Sequence, residues 1–274
     1  MTDVPGQDTP PAIDTTKPHS ARVWNYFLGG KDHYDVDRAM GEQAKQVFPG
    51  IIDIARADRA FLGRAVRYLA GEAGMRQFLD IGTGLPTMDN THEVAQRVAP
   101  DSRVVYVDND PLVLVHARAL LVGTPEGKTD YLQADLRDPD VILKKAAETL
   151  DFSQPVAIML LGILHFVPDL DHVHGIVMRL LDAVPSGSHL ALTHATSDLV
   201  DAAAAQANEQ AQSEWNRRAA DTITSRTREE ILRFFDGLEL VEPGLVSMSR
   251  WRVEATPFGE PADVAGYCGV GRKP

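Results

Sequence analysis

Phe78-Leu79-Asp80-Ile81-Gly82-Thr83-Gly84 reads as a short buried strand that runs into a glycine turn with an acid at its mouth. Phe78, Leu79 and Ile81 are apolar and suited to a strand, and Gly74 and Gly82 punctuate the run. Gly82 and Gly84 let the chain turn sharply and let a ligand approach bare backbone. Asp80 is placed to accept hydrogen bonds at the lip of a pocket. Pro86 and Thr87 stand where a dinucleotide fingerprint needs its third glycine, which counts against a pyrophosphate on the following helix. A nucleoside cofactor without phosphates fits better.

The next strand, Arg103-Val104-Val105-Tyr106-Val107, ends in Asp108-Asn109-Asp110-Pro111. Asp108 falls where a strand-helix-strand unit places the acid that takes both ribose hydroxyls. Asp110 reads as the cap of the helix that follows, worth about 1 kcal/mol. A third strand, Thr129 to Gln133, closes in Ala134-Asp135-Leu136, where Asp135 suits an adenine amino group, with Leu136 or Asn109 beside the ring. Asp135 is equally an ordinary turn former. The continuous apolar run Val156 to Leu161 is typical of a strand covered on both faces, and His165 follows its carboxyl end. His165, His172 and His174 match no usual zinc spacing, and no cysteine lies near, so no metal is expected. The fifth strand is His189 to His194; Ser249 to Val253 and Gly266 to Gly271 read as a further strand and the last.

Upstream of the glycine turn, residues 1–18 are a flexible tail by their Pro, Thr, Asp and Gly content. Ser20 to Leu28 reads as a short helix ended by Gly29-Gly30. The polar and aromatic cluster from Lys31 to Arg38 is either a solvated helix start or a lid that brings Tyr26, Lys31, Asp32 and Tyr34 over a ligand. Ile54, Ala57, Phe61, Ala65 and Leu69 recur at helical spacing, with Arg56, Arg59, Arg64 and Arg67 assigned to the wet face. The alanine-rich stretch from Asp198 to Ile223 reads as a helix packed on one side, or as a lid carrying Trp215. The expected organisation is therefore a tail (1–18), an N-terminal helical cap (19–74) and a cofactor domain (75–274) with a helical insert near 198–225.

At 274 residues and 44% hydrophobic, the chain can bury a large core. No run is long enough to span a membrane, and no basic region precedes an apolar leader. One cysteine, Cys268, excludes an internal disulfide and fits a reducing cytoplasm. The net charge of −12 argues against a broad nucleic-acid surface, though not against a local basic patch.

Four stretches together resemble a family of actinobacterial S-adenosyl-L-methionine-dependent methyltransferases. They are Ala21 to Asp32, Asp80 to Thr87, Tyr106 to Pro111 and Phe234 to Gly244, in that order. Asn25 stands where many relatives would carry an acid. The resemblance implies a class I methyltransferase-type, Rossmann-like α/β fold: a seven-stranded, mostly parallel sheet with a reversed terminal strand and helices on both faces. It implies S-adenosyl-L-methionine as cofactor, with Asp80, Gly82 and Gly84 around its methionine part, Asp108 on the ribose, and Asp135 with Leu136 at the adenine. Tyr26, Gly30 and Lys31 would cap it, Lys31 as a partner for the carboxylate.

Methyl transfer needs alignment and exclusion of water more than it needs a base. If a base serves, His165 and His194 stand nearest strand ends. The expected acceptor is a small molecule. The rival readings are a cofactor-binding regulatory protein without turnover and an NAD(P)-dependent oxidoreductase, the second of which would want the missing glycine.

Overall fold

The computed structural model describes residues 13–120, 123–219, 221–254 and 259–274. Five parallel strands form its centre: β1 (Gln77–Ile81), β2 (Arg103–Asp108), β3 (Lys128–Gln133), β4 (Ala157–Leu161) and β5 (His189–Ala195). Two short strands, β6 (Glu239–Leu240) and β7 (Val246–Ser247), and the long β8 (Gly266–Arg272) complete the sheet. Its order is β3-β2-β1-β4-β5-β8-β6, with β8 antiparallel to β5 and β7 beside β8.

The count is eight strands where seven were expected, because one edge strand is interrupted. β6 pairs with Gly271 and Arg272, and β7 pairs with Tyr267 and Cys268 of the same neighbour. Between them lie Pro243, which has no N–H for the ladder, and Gly244 at φ +86°. The strand expected at 249–253 is instead a turn. Arg250 N donates to Ser247 O, and Trp251 is fully buried edge-on to Phe61 with ring centres 5.4 Å apart.

Period-2 alternation sorts the strand side chains onto two apolar faces. Leu79, Val105, Ile158 and Leu190 share one cluster with α6 (Pro139–Ala146) and α7 (Leu170–Asp182). Phe78, Val104, Met159 and Ala191 share the other with α3 (Ile51–Gly71) and α4 (Thr91–Val98). Each of the larger ones, fully buried, contributes about 1.5–3 kcal/mol. The same alternation puts Asp80 and Tyr106, register partners in β1 and β2, on the α3–α4 side.

The helix after the glycine turn, α4, begins at Thr91, where Asn90 N donates to Glu93 Oε2 at 2.9 Å. Helices α6 and α7 had no counterpart in the sequence reading. Asp138 and Asp169 cap them by accepting from Val141 N and His172 N, so His172 belongs to a helix start.

Helices α1 (Ser20–Phe27), α2 (Asp35–Val47) and α3 lie before the sheet, and α8 (Ala202–Arg218) follows β5. α8 touches α2 through Gln43, which donates to Glu214 at 3.2 Å and accepts from Arg218 at 2.6 Å. Residues 1–12 of the expected tail lie outside the described residues. From Ile13 the chain packs against Ala21, Leu85, Leu112 and Val113.

Candidate functional site

The carboxyl ends of β1 to β4 open into a cavity of about 210 Å³ roofed by α1, α2 and α8. Its floor begins at the glycine turn. Gly82 and Gly84 have φ of +79° and +66°, the left-handed region that favours glycine. A Cβ on Gly82 would come within 2.6 Å of Ile163, whereas one on Gly84 would meet nothing within 4 Å. Ile163 sits in the turn after β4, so Gly82 is what lets two strand ends approach.

Three buried carboxylates line this cavity. Asp80 accepts from Thr91 Oγ1 at 2.6 Å, and burial pushes its pKa up to about 6 against that hydrogen bond and the charge of Arg59. Asp58, on α3, accepts from Thr193 Oγ1 at 2.6 Å and is also pushed to about 6 by burial. Asp108 accepts from Gly84 N at 2.8 Å and from Asp110 N at 2.9 Å; burial raises it in spite of both. Arg59 also lines the cavity and is held by Met88 O and Asn90 Oδ1. Three acids against so few cations make a site for a ligand that carries positive charge. The N-terminus of α4 is already occupied by Asn90 and Glu93, which leaves no free anion site there.

Asp80, Gly82, Gly84, Asp108, Asn109, Asp135, Leu136 and His165 all line the cavity, as sequence position suggested. Asp135 is braced by Arg137, which donates to it at 3.0 Å and reaches on to Phe166 O. Tyr26, Gly30, Lys31 and His194 are not among the lining residues. The Tyr26 ring lies on Gly41 of α2, and its hydroxyl meets Glu42 and Lys45. Gly30 N donates to Asn25 O at 2.8 Å, closing α1, and Lys31 is exposed. From α1 it is Trp24, Asn25, Phe27 and Leu28 that face the cavity instead. A helix presents one face at a time, and Tyr26 falls on the side that meets α2.

His194 is fully buried with both ring nitrogens engaged. Nδ1 lies 2.8 Å from Ala195 O and must donate, which leaves Nε2 to accept from Arg226 Nη1, also at 2.8 Å. Its lone pair is engaged by Arg226 and it lies off the cavity lining, so of the two histidines it is the less suited to act as a base. Arg226 donates as well to Leu164 O, Val167 O and Pro168 O, and thereby fixes the turn that carries His165. His165 Nδ1 has no partner among the described residues, and burial with Arg226 nearby lowers its pKa to about 3. At neutral pH the ring is uncharged, with a proton on one nitrogen and a lone pair on the other. Asn25 Nδ2 and Thr87 Oγ1, also on the cavity, are likewise without partners among the described residues.

Asp58, Arg59 and Arg226 escaped the sequence reading. Asp58 carried a signal: it sits on the apolar stripe of α3, four residues after Ile54 and three before Phe61. Of the four arginines assigned to the wet face, Arg56 and Arg67 are exposed. Arg59 turns to the cavity, and Arg64 donates to the carbonyls of Met248 and Trp251.

These buried acids make stability depend on pH. Asp58 and Asp80 have folded pKa values raised above the unfolded one, so their favourable contribution is complete below about 3.8 and lost as pH rises through about 6. The loss is on the order of 3 kcal/mol for each. Asp58→Asn keeps an oxygen for Thr193 and is expected to flatten the decline in unfolding free energy between pH 4 and 7.5. Denaturant titration across that range checks it; an unchanged slope would show Asp58 ionised with its ordinary pKa.

Comparison with known proteins gives a consistent result. The model of a family described as S-adenosyl methyltransferase matches residues 6–274. A DUF574 family protein from Streptomyces avermitilis is 46% identical; the match covers 96% of this chain and 100% of that one, with a TM-score of 0.90. A candidate methyltransferase from Thermobifida fusca is 43% identical over 98% of this chain and 99% of that one, with a TM-score of 0.85. Among curated proteins none matches.

Proposed function

The chain belongs to this family of S-adenosyl methyltransferases, and we propose that it methylates a small organic molecule beside the strand-end acids. The observation that carries the reading is the set Asp58, Asp80 and Asp108 on one cavity, next to a glycine turn and without a free phosphate site. S-adenosylmethionine suits that set because it brings an ammonium and a sulfonium and no phosphate. Asp108 would take the ribose hydroxyls, Asp135 and Leu136 the adenine, and Asp80 with the Gly82 to Gly84 turn the methionine end. Arg59, next to Asp58 on α3 and on the cavity wall, is a better partner for the carboxylate than the exposed Lys31. When bound, the cofactor supplies a methyl group as a cation equivalent: the acceptor's lone pair forms the new bond, sulfur keeps the electrons of the old one, and the acceptor loses a proton.

The protein's own part is to hold, dry and orient. His165, uncharged and with a free lone pair, orients the acceptor's proton-bearing atom. The roof of α1, α2 and α8 keeps water away. Among the described residues no helix is long and apolar enough to cross a membrane. The one cysteine is free and buried, which favours a reducing cytoplasm as the working compartment.

S-adenosylmethionine and S-adenosylhomocysteine are expected to raise the melting temperature, with about 2.7 kcal/mol of stabilisation at a hundred times Kd, and NAD and NADP are not. S-adenosylmethionine should also bind more tightly as pH rises from 5 to 7.5, because Asp58 and Asp80 must ionise to meet its positive charges. Stabilisation by NADP alone, or affinity that falls with pH, would overturn the reading.

A further inference from the structure

The sheet order separates the cavity into two sides. Asp80, Asp108 and Asp135 lie at the ends of β1, β2 and β3, while His165 and Phe166 follow β4 on the opposite flank of β1. Over that flank stand Trp24 and Phe27 of α1, with rings 6.1 Å apart and edge-on, and Trp215 of α8. The Phe166 ring is 4.3 Å from the ring of His165. This side is walled by aromatic rings, and His165 Nδ1 and Asn25 Nδ2 are without partners there among the described residues.

Of the charges here, Asp58 beside the end of β5 is assigned to the cofactor's cation under the methyltransferase reading, Asp221 is half-buried and open to solvent, and the others are engaged. Glu214 is paired with Arg217 and accepts from Gln43. Trp215 Nε1 donates to Asp221 O at 2.8 Å. Arg137, the cation that reaches nearest Phe166, donates to Asp135 and to Phe166 O. With the cofactor on Asp58, a charged acceptor would leave water and find no free buried counter-charge, a loss that rings alone do not offset. A flat uncharged molecule stacks on those rings at no such cost.

We propose that the methyl acceptor is an uncharged aromatic molecule held among Trp24, Phe27, Phe166 and Trp215, with a hydroxyl or N–H donating to His165 Nδ1. The proposal rests on the methyltransferase reading of the same cavity and adds the chemical class of its substrate. His165 is nine-tenths buried, and its free Nδ1 is the group that a donor on such a molecule would satisfy. The rings supply affinity, and the one acceptor atom fixes which heteroatom faces the methyl group.

Calorimetric titration of the full chain saturated with S-adenosylhomocysteine tests this, with 2-naphthol, 2-naphthoate and 1-naphthylmethylamine as probes at pH 7.5. The neutral naphthol is expected to bind about tenfold or more tightly than either charged probe. Ala211→Trp, which fills the α8 wall, should lose naphthol binding at least tenfold while S-adenosylhomocysteine affinity changes less than about twofold. Replacement of His165 by Leu should cut naphthol affinity roughly fivefold or more and remove its advantage over 2-methoxynaphthalene, which has no proton to donate. Charged probes that bind as well as naphthol, or naphthol affinity that Ala211→Trp leaves unchanged, overturn the proposal. Failure of S-adenosylhomocysteine itself to bind would instead overturn the cofactor reading, so the two failures are distinct.

Discussion

Asp108→Ala is expected to weaken S-adenosylhomocysteine binding about 30- to 1,000-fold, equivalent to roughly 2–4 kcal/mol. Two effects add. The first is the loss of two charge-assisted hydrogen bonds to ribose hydroxyls, each worth about 1.5–3 kcal/mol before non-additivity. The second is visible in the free protein, where Asp108 accepts from Gly84 N and Asp110 N and so ties the glycine turn to the end of β2. Without that carboxylate the turn loses the anchor that shapes it for the ligand. Asp108→Asn keeps one oxygen and should lose less than the alanine variant. Calorimetric titration of both decides the point: a loss below about threefold for Asp108→Ala would put the ribose elsewhere.

Asp110→Ala should act on stability instead, by about 3–5 kcal/mol. By position Asp110 is a helix cap, and its Oδ1 does accept from Leu112 N at 2.9 Å. Its Oδ2, however, accepts from Arg22 Nε at 3.1 Å and lies 3.2 Å from His19 Nδ1. Arg22 and Asp110 are 3% and 1% exposed, and Asp37, 3.7 Å from Arg22, is fully buried. Asp37 in turn accepts from His19 N and Tyr34 N. This latch fastens α1 and α2 to the sheet, and truncating one member strands a buried guanidinium. Urea unfolding of Asp110→Ala measures the cost. A loss near 1 kcal/mol would mean that the cap is all Asp110 supplies. Replacement of the pair together, Arg22→Met with Asp110→Leu, should recover part of the loss, since a buried ion pair returns little beyond its own desolvation.

Reading from sequence succeeded where the cause is local. A continuous apolar run has no stable home except a strand covered on both faces: β4 is apolar throughout, and β1 and β2 carry shorter apolar runs between polar residues. A glycine pair after the first and an acid after the second are features of single turns, so Gly82, Gly84 and Asp108 were legible one by one. α7 has no counterpart in the sequence reading although its buried positions Val173, Ile176, Val177, Leu180 and Leu181 keep helical spacing; the two histidines at its start enter that reading only as metal ligands, and are set aside as such.

What only the tertiary structure decided is which polar groups meet. Arg22 reaches Asp110 across 88 residues, Thr193 reaches Asp58 across 135, and Arg218 reaches Gln43 across 175. Short-range pattern carries no record of such pairs, because a side chain's partner depends on where a distant element packs. His194 and His165 show the consequence: both stand at strand ends by sequence, yet Arg226 takes the lone pair of one, while Nδ1 of the other has no partner among the described residues. The strands and turns of this protein follow from backbone sterics and burial over a few residues, whereas its site chemistry follows from desolvation, which is set by the whole fold.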